Sequence, residues 1–242
     1  MTRKKSVVRE YVEAILIAVV LALLIRQFIV QAFKIPSGSM IPTLLVGDHL
    51  LVNKFIYRYR SPRRGEIVVF KFPQDRETDF IKRVIALPGE EVHLRDGKLY
   101  VNGEETEDQN AVYESGFQAG KERNFPSFRV PTKGDVIHFE SGFPDLYRHL
   151  VANELGDRGG IVNGRLLIDG KPTTSYVVPN DYFFMMGDNR DTSLDSRYWG
   201  LLERWRLEGR AVVVYFSYNK GSFRPFPWLR EVRWGRIGDL VS

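Results

Sequence analysis

From Ala14 to Ile25 the chain reads AILIAVVLALLI, without a polar atom in any side chain, and Phe28, Ile29 and Val30 continue the run past Arg26 and Gln27. A stretch this apolar must be covered by something other than water. A helix from Tyr11 to Val30 would span about 30 Å, the thickness of bilayer hydrocarbon, with Arg26 near enough to one end to reach outward. Arg3, Lys4, Lys5 and Arg9 precede the run. Positive charge stays on the cytoplasmic side, so the rest of the chain is expected across the membrane. Two other readings stand beside this one. The small-residue pattern Val30-Gln31-Ala32 fits a removable signal peptide loosely, and a buried core helix is the blander choice.

At 242 residues, 43% hydrophobic and 13% aromatic, the remainder has material for one large β-rich domain or two small ones, which excludes overall disorder. A net charge of +5 suits an anionic membrane surface as well as nucleic acid and does not choose between them. The chain has no cysteine, so disulfides, thiolate zinc sites and a thiol nucleophile are excluded. His49, His93, His138 and His149 form no pair at metal-ligand spacing, and no metal site is expected.

After Lys34 the helical period fades. Short runs rich in Val, Ile, Phe and Tyr alternate with Gly, Pro and Asn/Asp-Gly punctuation. Strands are predicted at Ile67 to Phe72, Phe80 to Ala86, Glu91 to Leu94, Lys98 to Val101, Val136 to Phe139, Leu166 to Ile168, Tyr182 to Met186 and Ala211 to Tyr218. Asp96-Gly97, Asn102-Gly103 and Asp169-Gly170 read as hairpin turns. Glu104 to Arg129 is polar and poorly alternating, the mark of a surface excursion or of an inserted subdomain ending near Val178. Pro62 to Val68 and Pro131 to Ile137 resemble each other as similar local structure. Phe223 to Trp234, rich in Phe, Trp, Pro and Arg, is expected to pack on the β-fold, with lipid headgroups as the other option.

Three segments carry chemistry. In Phe33-Lys34-Ile35-Pro36-Ser37-Gly38-Ser39-Met40-Ile41-Pro42-Thr43-Leu44, two prolines prevent a continuous helix around Ser-Gly-Ser. Gly38 would permit unusual backbone angles, leaving one hydroxyl to act as nucleophile and the other to donate to an oxyanion; a plain turn is the ordinary alternative. No Gly-x-Ser-x-Gly elbow and no assignable acid-histidine pair accompany these serines. Lys82 lies in a strand-like run where Phe80, Lys82 and Val84 share a face. A lysine there that points inward loses up to ~3 to 5 pKa units to burial and becomes a base, whereas one facing water does not. Gly187 to Gly200 (GDNRDTSLDSRYWG) packs acids, amides, arginines and serines between glycines. Asp195 and Arg197 are spaced to pair if the loop is tight, and Ser193 would then offer its hydroxyl to a buried amine. A solvated turn and a calcium loop compete with this reading, but the glutamate that closes a calcium loop is missing.

In this order the segments resemble the bacterial type I signal peptidases, or leader peptidases: Pro36 to Leu44 is similar to the serine box. Gly47-Asp48 through Val52-Asn53-Lys54 and Tyr57 is similar to the next, Arg64 through Phe70 with Lys82-Arg83 to the lysine box, and Gly187 to Gly200 to the last. The resemblance implies a mainly β fold: an antiparallel sheet or barrel catalytic domain with an inserted smaller β-rich domain, preceded by one N-terminal transmembrane helix. The expected division is a basic N-terminus at 1–10, an anchor at 11–32, a catalytic β domain at 33–103 and 179–242, and an insert at 104–178. It implies Ser39 as nucleophile, Lys82 as general base, an oxyanion hole of the Ser39 N–H and the Ser37 hydroxyl, and Ser193 orienting Lys82. Asp188 with Arg83, and Asp195 with Arg197, would brace the site. Ile35, Pro36, Met40, Leu44, Phe80 and Ile81 would shape the pocket for the residue before the cut, with Phe33, Leu50 and Val69 forming the pocket two residues further back. Signal peptides of exported preproteins and membrane lipids are the implied partners, without nucleic acid or cofactor. The implied location is the bacterial inner membrane, single-pass, with the N-terminus cytoplasmic and the catalytic domain on the periplasmic face. A self-cleaving Ser/Lys hydrolase on the same fold, or a membrane-tethered peptide-binding module, are the alternatives.

Overall fold

The computed structural model describes residues 7–75, 77–106, 108, 110–113, 123–139, 145–162, 165–221 and 226–241. Arg3, Lys4 and Lys5, residues 114–122 of the polar excursion and residues 223–225 of the aromatic stretch lie outside them. Helix α1 (Val7–Phe28) carries the apolar run. Ile15, Leu16, Ile17, Val19, Val20 and Leu21 are all exposed along it, which removes the buried-core reading. Among the described residues no helix is long and apolar enough to cross a membrane.

The chain continues through β1 (Val30–Lys34), β2 (Asp48–Asn53), β3 (Ile67–Lys71), β4 (Asp79–Ala86), β5 (Glu91–Arg95), β6 (Lys98–Val101), β7 (Glu104–Thr106), β8 (Phe125–Arg129) and β9 (Val136–His138). Then follow α2 (Asp145–Leu155), β10 (Gly159–Val162), β11 (Arg165–Ile168), β12 (Lys171–Thr173), β13 (Ser175–Val177), β14 (Tyr182–Met186), α3 (Ser196–Trp199), β15 (Leu202–Glu203) and β16 (Leu207–Ser217). Seven strands form one antiparallel sheet in the order β1-β2-β16-β3-β4-β14-β15. The strands from β5 to β13 pair only among themselves, in sheets of four, three and two. β5 and β6, expected with the catalytic segment 33–103, therefore pair with β7 and β8 instead. β16 reaches both β2 and β3 because its register shifts at three places bend it around the sheet. Gly209 makes that crossing possible, since a Cβ there would lie 2.5 Å from the Asn53 carbonyl.

Each predicted hairpin turn has both residues at positive φ: Asp96 52° and Gly97 80°, Asn102 54° and Gly103 82°, Asp169 49° and Gly170 75°. These are the angles that match the twist of flanking strands, which is why Asx-Gly sits there. The similar segments Pro62 to Val68 and Pro131 to Ile137 hold two of four equivalent turns ending in Gly47-Asp48, Gly65-Glu66, Gly89-Glu90 and Gly134-Asp135. In each, the acid's carboxylate accepts the N–H three residues earlier, at 2.8, 3.1, 2.7 and 2.8 Å. The glycine N–H and the acid's carbonyl then bond a single neighbouring residue: Ile35, Val84, Val130 and Val178. An arginine pairs with each carboxylate: Arg236, Arg60, Arg64 and Arg129. The first two of these turns frame the segments that carry Ser39 and Lys82.

β4 runs between apolar clusters, with Ile81 packed on one that includes Leu50 and Val69, and Val84 inside another with Phe70, Phe183 and Trp199. From Lys82 to Ala86 every residue is buried. That double burial, ordinary for a central strand, is what removes Lys82 and Arg83 from water.

Candidate active site

β1 ends at Lys34, and a tight turn begins at Ser39 after the intervening Ile35 to Gly38. Gly38 does not have the positive φ expected of it; the glycine instead admits Ile41, whose Cδ1 lies 3.0 Å from where a Cβ would sit. The turn is held from outside by the loop after β14. The Asn189 N–H donates to the Ser39 carbonyl at 3.1 Å and the Asn189 side-chain amide to the Gly38 carbonyl at 3.4 Å. A Cβ at Gly187 would meet the Ser39 carbonyl at 2.4 Å and Ser193 Oγ at 2.3 Å, so only glycine lets the two segments approach this closely.

Lys82 Nζ lies 2.7 Å from Ser39 Oγ and donates to the Ile81 carbonyl at 3.0 Å. Ser39 is 7% exposed and Lys82 4%. Burial lowers the Lys82 amine from 10.5 to about 8, against the opposing pull of the Asp195 and Asp188 carboxylates. Desolvation wins because neither carboxylate is bonded to the amine: each is occupied by its own arginine. Arg83 grips Asp188 with Nε and Nη2, both at 2.8 Å, and Thr43 Oγ1 donates to the same carboxylate at 2.5 Å. Arg197 grips Asp195 with Nε and Nη2, again at 2.8 Å, while the Gly187 N–H donates to Asp195 at 3.1 Å. Both pairs named from the sequence form, and both are buried.

Ser37 is exposed beside the turn. Ser193 is buried, but its hydroxyl makes no hydrogen bond, so the anticipated contact with Lys82 is absent from this conformation. Phe33, Ile35, Met40, Leu44, Leu50, Val69 and Ile81 meet in one apolar cluster under the serine turn. Phe80 does not join it: its ring stacks on Phe72 at 4.3 Å, and its centroid stands 5.4 Å from Lys82 Nζ. Pro36 is exposed at the rim. Among the described residues no group of three or more acids and histidines is placed to hold a metal.

Several contributors escaped the sequence reading. Thr43 and Asn189 lie inside the serine and Gly187 to Gly200 segments, where residue type alone gives them no role. Val112 lies in the polar excursion, yet its N–H donates to the Asp188 carbonyl at 2.8 Å and its carbonyl accepts from Arg190 at 2.9 Å. Tyr113 follows, with its ring 5.0 Å from the Arg123 guanidinium. A single Val-Tyr pair in a segment without alternation gives no signal of such a strap.

A hydroxyl within hydrogen-bond reach of a desolvated amine is a pairing able to activate a serine for hydrolysis. The chain belongs to the signal peptidase family, peptidase S26, which it matches over residues 8–216. It is 36% identical over 236 residues to a signal peptidase I of Aquifex aeolicus, covering 90% of this chain and 88% of that one. It is 33% identical over 247 residues to a signal peptidase I of Pseudomonas aeruginosa, covering 93% of this chain and 78% of that one. Against one from Buchnera aphidicola the identity is 32% over 247 residues, with 90% and 77% covered. Membership places the chain among the serine peptidases that remove signal peptides.

Proposed function

We propose that this chain cleaves signal peptides from exported preproteins with Ser39 as nucleophile and Lys82 as general base. The contact of 2.7 Å between Ser39 Oγ and an amine lowered to about 8 carries the reading. The neutral amine takes the hydroxyl proton as Ser39 Oγ attacks the scissile carbonyl. The Ser39 N–H and the Ser37 hydroxyl stabilise the oxyanion. Lys82 then hands the proton to the departing amine of the mature protein and activates the water that hydrolyses the acyl-enzyme. The unpartnered Ser193 hydroxyl, close to Gly187 and the serine turn, supports a rotation that gives Lys82 its remaining partner.

The cleaved peptide lies extended against β1, the strand at one margin of the large sheet, a position that supports strand addition. Small side chains before the cut enter the apolar wall formed by Ile35, Met40, Leu44 and Ile81, with Pro36 at its rim and Phe33, Leu50 and Val69 deeper along the peptide. Phe80 acts on the lysine's surroundings from its stack with Phe72. The main domain comprises the seven-stranded sheet, and the insert the smaller sheets, with β5 and β6 assigned to the insert by their pairing. Helix α1 anchors the chain in the bacterial inner membrane, N-terminus cytoplasmic. The exposed apolar side chains around α1 support this.

The testing experiment incubates the purified full chain with a preprotein carrying alanine one and three residues before the cut. Rapid quenching and mass spectrometry should find a single new N-terminus and a transient acyl adduct on the peptide containing Ser39. An adduct on another residue, or none with cleavage intact, overturns the assignment. Gly187→Ala is expected to lower kcat by about 100-fold with KM little changed, since a displacement near 1 Å at a catalytic group costs about that much. Unaltered kcat in steady-state assays would remove the role given to this close approach.

A further inference from the structure

A cleft of about 480 Å³ opens away from the serine turn, between the residues that follow β2 and the start of β16. Its walls carry three cations, Lys54, Arg58 and Arg204, and one carboxylate, Glu208. Glu208 pairs with Lys54 at 3.7 Å. Arg58 lies over the Phe55 ring at 5.8 Å, and Arg204 Nη1 bonds the Ser61 hydroxyl. Neither guanidinium has a carboxylate partner among the described residues, so the cleft keeps two uncompensated positive charges. Trp205, 52% exposed, stands at its mouth.

The position of the cleft gives this charge a meaning. The Lys54 N–H donates to the Ile29 carbonyl at 3.0 Å, and Asn53 pairs with Val30. Ile29 is the residue directly after α1, so the cationic wall is tied by backbone hydrogen bonds to the point where the apolar helix ends. Ser39 lies beyond the other end of β1, after roughly 13 Å of strand, and nothing in the proposed chemistry uses the cleft.

We propose that this cleft takes the phosphate of an anionic phospholipid headgroup and so fixes how the large sheet stands on the bilayer; the inference rests on the reading of α1 as a membrane anchor. Two guanidinium forks match the in-plane oxygens of a phosphodiester, and Lys54 adds a point charge. An indole at the mouth suits the boundary between headgroups and acyl chains. Cations near such a surface are attracted by its negative potential, and the attraction weakens with salt.

The test titrates the full chain in neutral detergent micelles with short-chain phosphatidylglycerol, phosphatidylcholine and free glycerol phosphate, using calorimetry. Phosphatidylglycerol should bind saturably at one site, more tightly than phosphatidylcholine, and less tightly as salt rises. The double variant R58Q/R204Q should weaken that binding at least tenfold while leaving cleavage of a soluble peptide substrate in lipid-free micelles unchanged. Arg58→Glu, at an exposed side chain, gives the same readout should the double variant fold poorly. Equal affinity for free glycerol phosphate would make this a free-phosphate site and overturn the lipid assignment, as would affinity unaffected by either variant. A chain that binds phosphatidylglycerol through these arginines but cleaves no preprotein would sink the peptidase reading and leave this site standing.

Discussion

Lys82→Met is expected to lose at least about 1000-fold in kcat and, at pH 7, to unfold at higher denaturant than the parent chain. The two effects share one cause. A charged amine buried at 4% exposure is penalised by desolvation, and that penalty is what brings its pKa from 10.5 to about 8. At about 1.4 kcal/mol per pH unit, the displacement corresponds to roughly 3 kcal/mol of lost stability wherever both the folded and unfolded chains carry the proton. Methionine fills much of the same volume without the charge. Against this stands the lost bond to Ser39 Oγ, worth about 1 kcal/mol, so the net gain is about 1 to 3 kcal/mol.

The pH dependence has a definite sign. The folded amine gives up its proton near pH 8, the unfolded one only near 10.5. Between those values the unfolded chain holds more protons, so this group's contribution to stability rises with pH and the penalty vanishes above 10.5. Urea unfolding at pH 7 and pH 10 should therefore show the advantage of Lys82→Met shrinking as pH rises. Activity follows the same titration: kcat/KM should climb through an apparent pKa of about 8, since only the neutral amine accepts the serine proton. A constant stability difference across the range, or a lower limb near the value of a free lysine, would show that the amine is not desolvated in the working enzyme.

Much of this arrangement was legible beforehand because it is local. All eight predicted strands form, since alternation and Asx-Gly punctuation are properties of short windows. β1 was lost because Val30 to Lys34 continues an apolar run that begins in the helix, and β8 because Phe125 to Arg129 closes a polar excursion. α2 was missed in a segment of mixed polarity. Two of the four Gly-acid turns stand out because both follow proline and a basic residue; Leu45-Val46-Gly47-Asp48 and Leu87-Pro88-Gly89-Glu90 lack that lead and share with them the Gly-acid pair and the hydrogen bonds, which no residue string displays. The site shows the same divide. Asp195 and Arg197, two positions apart, could be paired from spacing, whereas the contact between Ser39 and Lys82 crosses 43 positions: each stands out in its own segment, but no spacing joins them. The Gly187 approach and the Val112 strap depend on how the loop after β14 meets distant segments, which is a matter of tertiary packing.

Asp188→Ala is expected to destabilise the chain by about 3 to 5 kcal/mol, a large share of the roughly 5 to 15 kcal/mol that holds a folded domain together. The Asp188 side chain is fully buried and Arg83 nearly so. Removing the carboxylate leaves the guanidinium with the Gly65 carbonyl at 2.7 Å and a long contact to Thr43 at 3.3 Å, and it deprives the Thr43 hydroxyl of its acceptor. Arg83, 4% exposed, has little water from which to recover what it lost. Catalysis should fall as well, because Asn189, next in the chain, donates to the Ser39 carbonyl, and a relaxed loop no longer fixes that turn. A double variant separates charge from packing: Asp188→Leu with Arg83→Met removes both charges together and should recover most of the stability without restoring the rate. Chemical unfolding of the single and double variants, with the denaturant slope checked for constancy, decides the matter. A single-variant loss below about 1 kcal/mol would mean that Arg83 finds another partner, and that the ion pair is not what holds the loop after β14 against the serine turn.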